Sequence, residues 1–374
     1  MKKFLYKSLL FCSPILMVLA IPTIVLVYSK ESFSQIESLV ESNEEYLVGY
    51  AYDESNYKFL KWKELNYRKQ QDIIALGSSR ALPFREKMFD VPFYNCGSMI
   101  SSISDFLPFL RTLDKEKYPK LIIMCLDQWM FNHNWDDLSD EKPTVLEWEK
   151  FETNNFTLPT IRNVWKDLLK RKYGLNVFEN SNDKLQKRGL NAQLNGKGFT
   201  KDGSFFYGSQ IEFIINGDPR ADDYLFEDTY GRISKGNRRF EKGDNINPIA
   251  IQELKAILSF LKSRNISVVA YLPPFADAVN ARMKNDGGYT YMEKLYTTLK
   301  DDFISNDFEL WDLSQLSKYN SNDREVIDGF HGGEVTYLKM LVYMAQQGSV
   351  LNQYVTVEQL LSDLNNKKNN LSVY

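Results

Sequence analysis

The run Leu121-Ile122-Ile123-Met124-Cys125-Leu126 narrows the fold most. Six consecutive apolar residues without polar alternation suit a strand covered on both faces, as in a parallel sheet flanked by helices. The run ends at the polar pair Asp127-Gln128. An earlier run, Ile73 to Leu76 after Asp72, stops at Gly77-Ser78-Ser79-Arg80, and Val91-Pro92-Phe93-Tyr94-Asn95 stops at Cys96-Gly97-Ser98. Ile103, Phe106, Leu107, Leu110 and Leu113 then repeat at helical spacing. Strand, turn, helix and strand in this order predict an α/β fold, a three-layer doubly wound parallel sheet.

The same order returns near the C-terminus. Asn247-Pro248 is a helix start, with a cap followed by a first-turn proline, and Ile251, Leu254, Ile257, Leu258 and Leu261 form one face. A strand is expected over Ile266 to Leu272, ending at Pro273-Pro274. Beyond it a helix is expected over Met292 to Phe303, a short strand over Glu309 to Leu313 and a closing helix over Val335 to Gln347. Gly348 stands where a C-terminal cap belongs.

The N-terminus sets the expected compartment. Lys2, Lys3 and Lys7 precede an uncharged run from Ser8 to Tyr28, long enough to cross a bilayer as one helix, kinked at Pro14 and Pro22. Basic residues on the short end place the remainder outside the cytoplasm. A cleaved signal peptide is the rival reading, but the run is long for one and lacks a clear small-x-small cleavage site. The organisation expected is an anchor over 1–30, a helical stalk over 31–69 and an α/β core over 70–130 and 246–350. An insertion over 131–245 shapes the substrate site, and a C-terminal tail spans 351–374, with its Asn/Lys-rich part after Leu361 solvated. Within the stalk, Phe33 to Val48 has helical spacing. Within the insertion, a helix is expected near Thr160 to Leu169, with hairpin turns near Gly203 and Gly217.

Composition removes several function classes. A net charge of −3 over 374 residues gives no electrostatic reason to bind nucleic acid. There is neither a glycine-rich phosphate loop nor a paired Cys-x-x-Cys set, and the chemistry below requires no metal or organic cofactor. Cys96 and Cys125 lie in apolar runs and read as buried free thiols; Cys12 lies in the first apolar stretch.

Two short motifs carry the chemistry. The Gly77-Ser78-Ser79 turn after the first strand lifts a serine hydroxyl to the rim of a sheet, and Asp328-Gly329-Phe330-His331 holds one of only two histidines. A serine hydroxyl is a weak nucleophile until a base accepts its proton, and an acid three residues before the histidine orients that base. Each motif also has a plain reading. Gly-Ser-Ser-Arg is an ordinary turn with Arg80 solvated, and Asp-Gly-Phe-His is a helix entry capped by Asp328. The other histidine, His133, lies in an aromatic and Asn-rich stretch and reads as a loop or polysaccharide-contact residue, with a second base as the rival reading. Phe205, Phe206, Tyr207, Tyr224, Phe226 and Tyr230 read either as a small core or as faces that stack on sugar rings.

The order of Gly-Ser-Ser after the first strand, Asn95-x-Gly97 after the second, a third strand ending in a polar pair, and a late Asp-x-x-His resembles the SGNH (GDSL-like) hydrolase superfamily. The anchor and the Gly-Ser-Ser variant resemble its extracytoplasmic members in polysaccharide O-acetylation and teichoic-acid D-alanylation. The likeness covers 70–130 and 247–347. It implies Ser79 as nucleophile, His331 as base, Asp328 as its partner, and the amides of Ser79 and Gly97 as oxyanion donors. It also implies Asn95 at the same site, an acylated polysaccharide substrate, a cell-envelope location and a membrane-bound O-acyltransferase as partner. The chain departs from the family at Asp127-Gln128, where many members carry an Asn donor. Either Gln128 supplies that donor or Asp127 faces elsewhere.

Overall fold

A computed structural model describes residues 2–31, 36–42, 44–52, 57–135, 138, 157–174 and 185–374. The chain divides into two compact units. The larger is drawn from residues 64–146, 202–205 and 210–374, and the smaller from 1–63, 147–201 and 206–209.

The larger unit is α/β. Its strands are β1 (Ile73–Leu76), β2 (Phe93–Cys96), β3 (Leu121–Cys125), β4 (Ser267–Leu272) and β5 (Glu309–Asp312). They form one sheet in the order β2-β1-β3-β4-β5, every pairing parallel, with Ile73 opposite both Phe93 and Leu121. All residues of β1, β2 and β3 are buried. Successive side chains of a strand point to opposite faces, so both faces of the sheet are covered. The half-buried β5 forms one edge.

From β1 the chain moves outward to β2, then returns to the other side of β1 to make β3. The carboxyl ends of β1 and β3 therefore flank the point where the strand order reverses, which is where open α/β sheets bind ligands. Ser79 and Asp127 follow those two ends.

The helices that cover the sheet start where the sequence places their caps. Ser102 and Asp105 form a capping box ahead of a short 3₁₀ turn that runs into α1 (Phe106–Thr112). Between residues 210 and 245 lies α2 (Glu227–Lys235). The Asn247 side chain accepts from Ile249 N at 3.0 Å and opens α3 (Pro248–Ser263). Next come α4 (Asp277–Asp286), α5 (Thr290–Ile304) and α6 (Glu334–Gln346). Past α6, Gly348 has φ +87° and donates to Ala345 O, as a C-terminal glycine cap does. No helix is expected from the sequence between Pro274 and Met292; α4 has only a weakly amphipathic sequence, and its first amides are capped by Asp323 from a distant loop.

In the tail, Val357–Asn365 is a helix and the Asn/Lys-rich residues Asn365 to Asn370 are exposed or half-buried, as their composition predicts. Only the end is docked: Leu371 and Val373 are buried, and the buried Glu334 accepts from Val373 N at 2.8 Å and Tyr374 N at 3.1 Å while Arg85 Nε donates to it at 2.7 Å.

The smaller unit has a four-stranded sheet in which Tyr46–Val48 pairs parallel with Gln186–Arg188 and antiparallel with Lys197–Thr200. Of the expected helical stalk, Ile36–Glu41 is a helix and Tyr46–Val48 a strand, while Phe33 lies outside the described residues. Leu158–Leu169 is the helix expected near Thr160, capped by Thr157. Gly203 lies in the turn between two neighbouring strands, whereas Gly217 ends the helix Ser209–Ile215 instead of turning a hairpin. The segment 131–245 is thus divided between the two units. At the N-terminus, Lys2–Tyr28 is helical with Pro14 and Pro22 inside. Among the described residues no single helix is long and apolar enough to cross a membrane; Tyr6–Pro14 and Leu16–Tyr28 meet that test only together, across a 59° bend. Proline removes one helical hydrogen bond and clashes with the preceding turn, which accounts for a bend near Pro14.

Gly77 sets how closely β1 and β3 approach at the site. A Cβ there would lie 2.5 Å from Cys125 Cβ and 3.2 Å from Cys125 O. Gly77→Ala is expected to lower stability by about 1–3 kcal/mol through this overlap, read as a fall in the denaturant midpoint.

Candidate active site

Ser79 opens a 3₁₀ turn, Ser79–Ala81, immediately beyond β1. The Ser78 hydroxyl caps the turn by accepting from Arg80 N at 3.2 Å. Asn95, in β2, holds the far side: its Nδ2 donates to Ala81 O and to Phe84 O, both at 2.9 Å. Tyr271 and Tyr337 donate their hydroxyls to Arg80 O. A half-buried hydroxyl on a turn fixed from three sides has little freedom to leave the rim.

Two hundred and fifty-two residues later, the histidine loop brings the His331 ring to the serine. Ile327 N donates to His331 O at 2.7 Å, and Val326 bridges Gly332, so the loop closes on itself. Inside it, Asp328 Oδ1 accepts from Phe330 N at 2.9 Å and His331 N at 2.8 Å. Its other oxygen lies 2.7 Å from His331 Nδ1, and His331 Nε2 lies 2.8 Å from Ser79 Oγ. An ionised carboxylate only accepts hydrogen bonds, so Nδ1 carries the ring proton and Nε2 is free to accept from the serine. The structure thus joins Ser79, His331 and Asp328 in one hydrogen-bond chain, as a nucleophile, base and orienting acid require.

The electrostatics of Asp328 fit that role. Burial pushes its carboxyl up, but the His331 charge and ring N–H and the two loop amides together hold it below the usual carboxylate range. Sequence reasoning missed a further support. Asp223 caps α2 by accepting from Asp228 N at 2.9 Å and Thr229 N at 3.1 Å, and it also accepts from Gly329 N at 3.1 Å. The only signal in the sequence is an acidic residue ahead of a helix.

The end of β3 differs from a simple oxyanion site. Arg80, expected to be solvated if the turn were ordinary, is wholly buried. Its Nη1 donates to Asp127 Oδ1 at 3.3 Å and Gln128 Oε1 at 3.0 Å, and its Nη2 donates to Pro274 O. Gln128 Nε2 in turn donates to Pro273 O at 2.7 Å. Asp127 therefore faces a guanidinium, and Gln128 presents its amide to a backbone carbonyl. Burial still pushes the Asp127 carboxyl up, against the opposing pull of Arg80. Gly97 N donates to Asn95 Oδ1 at 2.7 Å, so of the two amides proposed for an oxyanion it is engaged within the protein. That leaves the Ser79 amide of the pair. The signal for the arginine clamp was present: a polar pair ending a buried strand needs a buried partner, and Arg80 directly follows the serine.

His331 is walled by aromatic rings. Phe330 lies 4.3 Å from it between ring centroids and packs edge-on against Trp129 and Phe240. His133 is exposed and donates its backbone amide to Asn245 O, as a loop residue does. None of Phe205, Phe206, Tyr207, Tyr224, Phe226 and Tyr230 is fully buried, so they do not form a closed small core. Cys96 and Cys125 are buried free thiols.

No family model, curated protein or solved structure matches the chain.

Two outcomes follow from these charges. Arg80→Met leaves Asp127 buried without its counter-charge, and a loss of about 3–5 kcal/mol is expected in urea unfolding. Arg80→Lys should restore little, since an ammonium lacks the planar fork that reaches Asp127, Gln128 and Pro274 together. For Asp328 the folded pKa is depressed, so its stabilising contribution is complete above the unfolded value of about 3.9 and is lost as pH falls through the folded value. The stability gap between wild type and Asp328→Asn should therefore narrow below about pH 4 in a pH series of unfolding curves.

Proposed function

We propose that this chain is a membrane-anchored, extracytoplasmic serine acyltransferase or esterase of the SGNH type. In this reading it carries an acetyl group on Ser79 and delivers it to a hydroxyl of a cell-surface or exported polysaccharide. A membrane-bound O-acyltransferase is the proposed source of the group. The observation that carries the reading is the unbroken chain from Ser79 Oγ through the His331 ring to Asp328, with separations of 2.8 and 2.7 Å.

In the proposed reaction His331 Nε2 takes the Ser79 proton as Oγ bonds to the acyl carbon. The tetrahedral intermediate collapses with cleavage of the bond to the leaving oxygen, which receives the proton from the imidazolium. An acceptor hydroxyl then gives its proton to His331 and attacks the Ser79 ester, and the serine leaves with that proton. Acyl group and protons balance, and water in place of the acceptor gives the esterase. The Ser79 amide would hold the oxyanion, with the Asp328 carboxylate stabilising the imidazolium.

The reading predicts covalent labelling of Ser79 by a fluorophosphonate, with loss of the label in Ser79→Ala and at least a hundredfold slower labelling in His331→Ala. An unlabelled, folded wild-type protein would sink the catalytic reading and leave a binding scaffold. Asp328→Asn is expected to lower turnover of an activated acetyl ester by about 10³–10⁴-fold, because the ring would then adopt the wrong tautomer. A decrease below tenfold in steady-state assays would remove Asp328 from the role of orienting acid.

A further inference from the structure

The arginines around the site differ in one respect. Arg80 has three acceptors, Arg232 donates through Nε and Nη2 to Asp228, and Arg238 donates to the same carboxylate. Arg239 has no hydrogen bond or ion pair among the described residues, and no nitrogen of its guanidinium is sealed from solvent without a partner. Its guanidinium lies over the Trp129 ring, 5.3 Å from the centroid. That indole packs edge-on against Phe330, whose ring in turn adjoins His331. Phe240, the next residue, is buried against Phe330 at 5.7 Å between centroids. The loop bearing Arg239 is therefore packed onto the histidine loop.

Its backbone is also held in a costly form. Arg238 and Arg239 have φ of +54° and +80°, consecutive left-handed positions without glycine. Such a conformation is costly and persists only where surrounding contacts impose it, commonly at ligand sites. Those contacts are present: Asn237 N donates to Arg232 O, Phe240 N to Asn237 O, and Asn132 Nδ2 to Glu241 O at 2.6 Å. The carboxylates nearest in electrostatic terms are Asp127, which faces Arg80, and Glu241, while Arg232 and Arg80 oppose the charge. Burial lowers the Arg239 pKa from the ordinary arginine value, as expected of a cation without a close counter-ion.

We infer that Arg239 binds an anionic group, a carboxylate or a phosphate, on the alcohol portion of the acyl ester that reaches Ser79. A planar fork with all its N–H groups unengaged, braced on an indole face, suits two-point recognition of either anion. The rings of Trp129 and Phe330 link it to His331, which puts an anion bound there apart from the reacting carbonyl. The inference rests on the serine acyl-transfer reading and adds to it that the alcohol from which Ser79 takes the acyl group is anionic.

The test compares phenyl acetate, 4-acetoxybenzoate and 4-acetoxyphenyl phosphate as substrates of the full chain and its Arg239→Gln, Arg239→Met and Arg239→Lys variants. The intrinsic reactivities cancel when each anionic ester is expressed as a kcat/KM ratio to phenyl acetate within one variant. That ratio is expected to fall about tenfold in Arg239→Gln and Arg239→Met, and less in Arg239→Lys, for at least one anionic ester; the more affected ester identifies the group. A purely structural arginine would change all three esters alike and leave the ratio fixed, which would overturn the inference. Binding is read separately by calorimetry on Ser79→Ala, which cannot turn the esters over, with and without Arg239→Gln. Tenfold weaker binding of an anionic ester in the double variant supports the site even if wild type proves not to be a catalyst. Normal turnover with anionic-ester binding indifferent to Arg239 rejects the site and leaves the catalytic reading intact.

Discussion

The buried Arg80 guanidinium is the constraint on which the site depends. It lies directly after Ser79 and reaches the polar ends of two other strands, Asp127 and Gln128 beyond β3 and Pro274 beyond β4. One side chain thus ties the carboxyl ends of β1, β3 and β4 around the position where the strand order reverses. A charge in the interior is costly unless its hydrogen-bonding capacity is met, and here the strand ends meet most of it. Its rim is further covered by Trp129 and Phe275, each presenting a ring face to the cation. The serine turn is consequently a rigid part of the core instead of a mobile surface loop.

On the opposite side of Ser79, rigidity comes from backbone hydrogen bonds. The histidine loop is a closed turn in which Asp328 binds two amides of its own loop and the imidazole at the same time. Asp223 adds an anchor from the segment before α2, binding Gly329 N and the first amides of that helix. A residue long in sequence from both motifs therefore helps hold the loop from which His331 approaches the serine. The same segment supplies Arg239 and Phe240, so residues 210–245 both hold the base and line its surroundings.

Much of the α/β unit was legible because its signals are local. Runs such as Leu121 to Leu126 leave no hydrophilic face, and Asn247-Pro248 and Ser102 with Asp105 announce helices before the chain makes one. Ser79, His331 and Asp328 were legible for a related reason: each sits at a turn beside such an element, and only a few residue types perform their chemistry. The oxyanion donors were less legible. Asn95, Gly97 and Gln128 have suitable donors, yet the acceptors that claim them lie up to 145 residues away or across a turn. The docking of the last residues was not legible at all, since composition reports average solvation and not the few amides that bind Glu334.

By itself, then, the sequence determined the parallel sheet, its buried strands and the serine, histidine and aspartate that the structure joins in one hydrogen-bond chain, because apolar periodicity and turn chemistry are properties of neighbouring residues. Tertiary structure alone decided that Arg80 is a core residue, that Asp127 and Gln128 serve it, that Asp223 steadies the base and that Arg239 keeps an open fork. Each of these depends on which distant hydrogen-bond partner or counter-charge is within about 3–4 Å, a distance that folding sets and residue order does not encode locally.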